Sequence, residues 1–187
     1  MATVFTHSLA ALIIGKSLID KKQSPGFWLS LVLCSLLPDI DVVGIKFGIA
    51  YGDFWGHRGF THSLCFAVIV GFFIGLVFYR RLGIASPEWC KYVVLYSTVT
   101  ASHGIFDAMT NGGLGIAFFA PFDNSRYFLP WTPVQVTRVG FYDFFSHKGF
   151  RILMSEGIFI LTPMSVIYVI LVWRRRRNRK HDCRISE

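Results

Sequence analysis

Residues 62–81 read HSLCFAVIVGFFIGLVFYRR, an apolar run opened by a histidine and closed by two arginines. A helix of about 18 apolar residues without a charge has a lipid bilayer as its natural surroundings. Working outward, four more stretches approach the same character: residues 3–19, 27–45, 89–107 and 157–173. The whole chain agrees, with 53% hydrophobic residues and only 16% charged, and a mean hydropathy of +0.49. These features predict an all-α integral membrane protein of about five transmembrane helices. A long aromatic-rich outer loop, 108–155, joins the fourth helix to the fifth. Residues 1–173 are read as a single membrane-embedded domain and 174–187 as a basic cytoplasmic tail.

The net charge of +8 is not spread as a nucleic-acid-binding face, and no nucleic-acid partner is expected. It gathers in Lys21-Lys22, Arg80-Arg81 and the tail that begins RRRRNRK at Arg174. Basic clusters beside apolar runs mark the cytoplasmic side. With the tail inside, alternating spans bring Arg80-Arg81 and Lys21-Lys22 inside as well, so five spans place the N-terminus outside and the C-terminus in the cytoplasm. Four cysteines, Cys34, Cys65, Cys90 and Cys183, show no CxxC spacing and read as packing residues. The N-terminus lacks the basic n-region of a cleavable signal peptide, and its apolar stretch carries His7 and Lys16.

On this topology the ionisable residues of the spans converge. His7 lies near the outer end of span one, Asp39 and Asp41 near that of span two, and His57 and Arg58 in the loop before span three. His62 opens span three, His103 and Asp107 close span four, and Glu156 opens span five. All map to the outer leaflet. An acid at mid-helix costs roughly 3 kcal/mol to insert, whereas structural zinc contributes about 10–16 kcal/mol in small peptides. A divalent metal is therefore the economical partner. His103 and Asp107, four apart on a helix, share a face. Pro38 bends or ends span two, and Gly59 with Thr61 forms a turn and N-cap before span three. The segment 111–113, NGG, can make turns close to a ligand. The expected ligands are His7, Asp39, His57, His62, His103 and Asp107. Zn²⁺ leads, with Mn²⁺ or Fe²⁺ compatible with the same donors.

Several motifs occur in order: THS at 6–8, LLPDID at 36–41, HRGFTHS at 57–63, SHGIFDAMTNGG at 102–113 and APFDNSRYFLPWTP at 120–133. Over residues 3–140 the chain resembles the bacterial inner-membrane metal-dependent hydrolases of the YdjM type, some of which are LexA-regulated. The resemblance implies a bacterial inner-membrane location and hydrolysis, and it fixes no substrate.

The expected function is thus hydrolysis of a phosphoester or other ester of a lipid or envelope substrate by metal-activated water, with membrane lipids as partners. Asp41 or Glu156 would serve as general base, and Arg58, with Arg126 behind it, would neutralise developing negative charge. The alternative is a non-enzymatic membrane metal-binding or ion-transport protein, since acids and histidines in spans also mark ion paths. A purely structural role for the polar cluster is the third reading.

Overall fold

The computed structural model describes residues 2–136 and 146–185. Among them the regular elements are helical: α1 (Val4–Leu18), α2 (Pro25–Leu36), α3 (Val42–Lys46), α4 (Leu64–Phe78), α5 (Pro87–Ala108), α6 (His147–Glu156) and α7 (Thr162–Ile185). Serine or threonine hydroxyls start them. Thr3, Ser24, Ser63, Ser86 and Ser146 each accept a hydrogen bond from a first-turn backbone N–H of α1, α2, α4, α5 and α6 respectively. Pro25 and Pro87 occupy the first helical positions of α2 and α5, where a missing N–H costs nothing.

Helix α5 is the hub, packing on α1, α2 and α4, while α7 lies along α1. One apolar core joins Ala11, Leu31, Val70, Leu95, Tyr96 and Val99 from these four helices. Outside it, large apolar side chains such as Leu33, Phe73, Val77 and Ile167 are half exposed or more, so the bundle presents apolar faces outward on most of its helices. Two helical stretches among the described residues, Pro25–Lys46 and His147–Asn178, are long and apolar enough to cross a membrane. Val4–Leu18 and Leu64–Phe78 are apolar but shorter.

Span two is interrupted as expected: a 3-10 turn containing Pro38, Leu37–Asp41, lies between α2 and the short α3. Two other expectations change in detail. His62 belongs to a 3-10 turn, Phe60–His62, and the cap of α4 is Ser63 rather than Thr61. The segment 108–155 is not all loop. Residues 109–136 are irregular, tied by isolated bridges between Thr110 and Val134 and between Ile116 and Tyr127, but α6 falls at the segment's end and continues through a π turn, Gly157–Leu161, into α7. Residues 137–145 lie outside the described residues. Helix α6 escapes an apolar-run search because its apolar residues occupy one side of a strongly basic and polar turn sequence, HKGFRILMSE.

The helix ends sort by chemistry. Arg175 donates to the Asp20 carboxylate and to the Ser17 carbonyl, which sets the basic tail against the end of α1 that carries Lys21-Lys22. Lys21 and Lys91, at the start of α5, line one cavity there. The other end of the bundle holds the histidines and acids.

Close packing of α4 on α5 depends on Gly71 and Gly75. A Cβ at Gly71 would meet the Val93 carbonyl oxygen at 2.6 Å and Ser97 Oγ at 2.1 Å, and one at Gly75 would meet Val93 Cγ2 at 2.5 Å. Trp89 Nε1 donates to the Gly75 carbonyl over the same contact, at 2.9 Å. Small residues four apart let two apolar helices approach this closely. Gly71→Ala is expected to destabilise the protein by about 1–3 kcal/mol, the usual cost of overpacking. Gly26→Ala, where a Cβ meets nothing nearer than Ser24 Oγ at 3.8 Å, should leave the melting temperature in detergent nearly unchanged. Equal melting of the two variants would contradict the packing described.

Candidate metal centre

Five segments meet at the polar end: the start of α1, the turn Leu37–Asp41, the loop before Phe60–His62, that turn itself, and the end of α5. Their meeting is allowed by small residues. A Cβ on Gly104 of α5 would lie 2.7 Å from the His62 carbonyl oxygen, so only glycine lets the His62 turn sit against α5 beside His103. Gly113 has φ +90°, and a Cβ there would lie 2.5 Å from Arg58 Nη1.

Four imidazoles form a row. His7 stacks on His103 with ring centres 3.8 Å apart, His103 faces His62 at 4.9 Å, and His62 faces His57 at 5.3 Å. All four are buried. Asp39 Oδ1 lies between the middle pair, 3.2 Å from His103 Nε2 and 3.6 Å from His62 Nε2. Asp107 Oδ1 is 3.6 Å from His7 Nε2.

The backs of three of these rings are occupied. His57 Nδ1 is 2.7 Å from Asp41 Oδ1, and His62 Nδ1 is 3.1 Å from Asp41 Oδ2. His103 Nδ1 is 2.7 Å from the carbonyl oxygen of Ser35. A carbonyl only accepts, so His103 Nδ1 carries the proton, and a carboxylate imposes the same on His57 and His62. Each ring then turns a bare Nε2 lone pair forward, the arrangement that metal-binding histidines use. Asp41 Oδ2 also accepts from the Arg58 backbone N–H at 3.2 Å and the Thr61 hydroxyl at 2.6 Å.

The forward atoms make no hydrogen bond to the protein, although Asp107 Oδ2 is ion-paired with Arg58 at 3.1 Å. Among the described residues, the buried side-chain N and O atoms lacking a hydrogen bond are His7 Nδ1 and Nε2, Asp39 Oδ1, His57 Nε2, Arg58 Nε, His62 Nε2, His103 Nε2 and Asp107 Oδ2. Every one belongs to this cluster. An orphaned buried polar atom costs about 1–3 kcal/mol, so their concentration in one place needs a reason. Two triads have the reach to hold a metal ion, His7–His103–Asp107 and Asp39–His57–His62; in each, one ligand atom per residue lies within 4.8 Å of the others. Imidazole nitrogen and carboxylate oxygen together are a fitting donor set for a transition metal.

The remaining expected site residues have other positions. Arg58 is buried in a left-handed backbone conformation, φ 68°. Its Nη1 donates to the Gly112 carbonyl at 2.6 Å, and its Nη2 donates to Thr110 Oγ1 at 3.2 Å and stands 3.1 Å from Asp107 Oδ2. The 111–113 turn therefore closes over Arg58. Asp41 is engaged on both oxygens, behind the imidazoles rather than facing an open space. Glu156 is buried and accepts three hydrogen bonds of 2.6 Å, from the Thr3 backbone N–H, the Thr3 hydroxyl and the Thr6 hydroxyl. It fastens α6 to the N-terminus of α1, where negative charge is favoured. Arg126, expected near the reacting group, donates to the carbonyls of His57, Tyr51 and Asp53 at 2.9–3.2 Å, and so holds the histidine loop instead. Beside it, burial raises the Tyr51 hydroxyl above the ordinary phenol range, and the ring meets His57 edge-on.

Ser35 contributes a backbone carbonyl, which leaves no trace in residue type. Thr61 and Thr110 add hydroxyls from inside the HRGFTHS and SHGIFDAMTNGG motifs, Thr61 bonding Asp41 rather than capping α4. Their places beside charged residues were the available signal.

Residues 1–178 match the family model described as YdjM inner membrane protein. The chain is similar to the inner membrane protein YbcI of Escherichia coli strain K12, at 36% identity over 179 residues, which covers 94% of this chain and all of that one. No solved structure matches. A full-length family match and this relative agree: the chain belongs to the YdjM inner membrane protein family.

Proposed function

We propose that this chain is a membrane-bound metal-dependent hydrolase that acts on an ester, with a phosphoester of a lipid or other envelope compound preferred. The observation that carries the reading is the gathering of four buried imidazoles, each with an Nε2 that makes no hydrogen bond, and two aspartates into two triads of metal-binding reach. His7, Asp39, His57, His62, His103 and Asp107 would hold the metal, with zinc favoured by the imidazole-rich set. When bound, such an ion supplies Lewis acidity and a water acidified toward a pKa of about 7.

The chain's own residues divide the remaining work. Asp41 holds His57 by its Nδ1 and, together with the Thr61 hydroxyl, sits behind His62 Nδ1, which keeps both Nε2 atoms forward. Arg58 sets a fixed positive charge against Asp107, where it offsets negative charge gathered in the site. Asp39 is the partly exposed acid, its side chain 16% accessible, whereas Asp41 and Glu156 are buried and engaged by protein donors, which removes them as proton acceptors. Ile40, Val43 and Phe47, on the same turn and the short helix that follows it, are exposed. Apolar side chains exposed so close along the chain favour a lipid substrate presented from the bilayer. Transport is less favoured, because the partnerless polar atoms form one cluster at one end of the bundle rather than a path along it.

For orientation, the proposal is five crossings with the N-terminus outside and the site facing the periplasm or exterior. The basic clusters at the opposite end of the bundle support this. A C-terminal green fluorescent protein fusion should therefore fluoresce and a C-terminal alkaline phosphatase fusion should be inactive; the reverse pattern would refute the orientation.

Purified protein should contain a divalent transition metal by elemental analysis and hydrolyse a generic phosphoester. His62→Ala and Asp107→Ala should each abolish turnover while the protein still inserts and keeps its helicity; full activity in either variant would remove the mechanism. Asp41→Asn tests positioning separately. It should weaken metal affinity about 10–100-fold, the usual effect of losing a group behind a ligating histidine, and excess metal should restore turnover.

A further inference from the structure

The six candidate ligands are more than one catalytic ion uses. A four-coordinate catalytic site takes three protein donors and keeps one position for water or substrate. One ion of that kind would leave about half of the forward atoms buried without a partner, in a cluster where none of His7 Nε2, His57 Nε2, His62 Nε2, His103 Nε2 or Asp39 Oδ1 has a protein hydrogen bond.

The donors also divide in space. The row of rings has its stacked pair, His7 and His103, at one end with Asp107, and its other pair, His62 and His57, at the opposite end with Asp39. Each end forms a complete triad of ligand atoms. Asp39 does not belong to one end alone. Its Oδ1 is closer to His103 Nε2, at 3.2 Å, than to its own triad's His62 Nε2, at 3.6 Å. One carboxylate thus stands at the seam between two triads.

Resting on the metal reading above, we infer that the cluster is a two-ion centre: His7, His103 and Asp107 hold one divalent ion, His57 and His62 hold the other, and Asp39 is shared between them. The supporting groups divide in the same way. Asp41 grips the two rings of the second triad, while the Ser35 carbonyl, Ala2 N–H and Arg58 guanidinium attend the first. Each ion therefore has a separate outer scaffold. Paired ions suit in-line displacement at phosphorus, where one oxygen arrives as another leaves, which narrows the ester of the proposed function to a phosphoester.

The test is metal content and magnetism of the full chain in detergent, loaded with Mn²⁺ or Zn²⁺ and freed of loosely bound ion. Two ions per chain are expected. One per chain overturns the two-ion inference and leaves the metal reading standing, and none overturns both. Mn²⁺-loaded wild type should give an exchange-coupled electron paramagnetic resonance spectrum, a readout that requires no variant to fold. An isolated-ion six-line spectrum at full loading would overturn the shared carboxylate. His57→Ala and His7→Ala should each lower the content from two ions to one, and Asp39→Asn should uncouple the pair. A variant that keeps two coupled ions after loss of Asp39 would count against the assignment.

Discussion

The polar end depends on the carboxylate of Asp41. Its two oxygens accept from His57, the Thr61 hydroxyl and the Arg58 backbone N–H, and Oδ2 lies 3.1 Å from His62 Nδ1. A buried carboxylate without such donors would be costly to keep charged. With them it becomes a fixed anchor that joins the Leu37–Asp41 turn to the loop and turn at 57–62. Those segments have little regular structure of their own, so side-chain bonding to Asp41 sets the direction of two imidazoles. Arg126 completes the arrangement from the far side by holding the carbonyls of the same loop.

The turn geometry explains why Asp39 and Asp41 have different positions despite lying two residues apart. In a 3-10 helix there are three residues per turn, so neighbours at i and i+2 point about 120° apart. His62 lies between the two acids, with Nδ1 toward Asp41 and Nε2 toward Asp39. A regular α-helix through residues 37–41 would point the acids about 160° apart, nearly to opposite sides of the helix. Pro38 is thus more than a break in an apolar helix. It provides the local winding that places one acid behind the imidazole and the other in front.

The sequence carried the gathering of the site but not its internal division of labour. Basic clusters and apolar runs were enough to bring His7, Asp39, His57, His62, His103 and Asp107 to one end, because helix direction alternates and each residue sits near a helix end. What residue types do not encode is which edge of a side chain faces inward. Asp41 and Asp39 are the same residue in the same motif, and only the turn distinguishes them. Glu156 reads as a site acid by depth, yet the Thr3 and Thr6 hydroxyls engage it and make it a fastening between α6 and α1. Helix α6 was hidden for a related reason: a basic amphipathic turn sequence beside an aromatic loop has no apolar run to find, and its continuation into α7 shows only in the backbone.

Helix length bears on where the chemistry sits. Helices α1 and α4 have 15 residues each and so rise about 22 Å, against about 30 Å for a hydrocarbon core. On the proposed topology the shortfall must be made up by segments that continue from their ends. At the polar end those are the turns carrying Asp39, His57 and His62, whose backbone is irregular and would be expensive in lipid unless covered by protein. They are covered: His57, Arg58, Thr61, His62 and Ser63 are all buried, while Ile40, Phe47 and Trp55 face outward. The polar groups are turned in on one another and the apolar ones are left outside, which on the proposed topology would let the His/Asp cluster lie near the headgroups without exposing charge to the acyl chains. On the proposed function, a headgroup carried by its own acyl chains is the substrate that such an arrangement would suit.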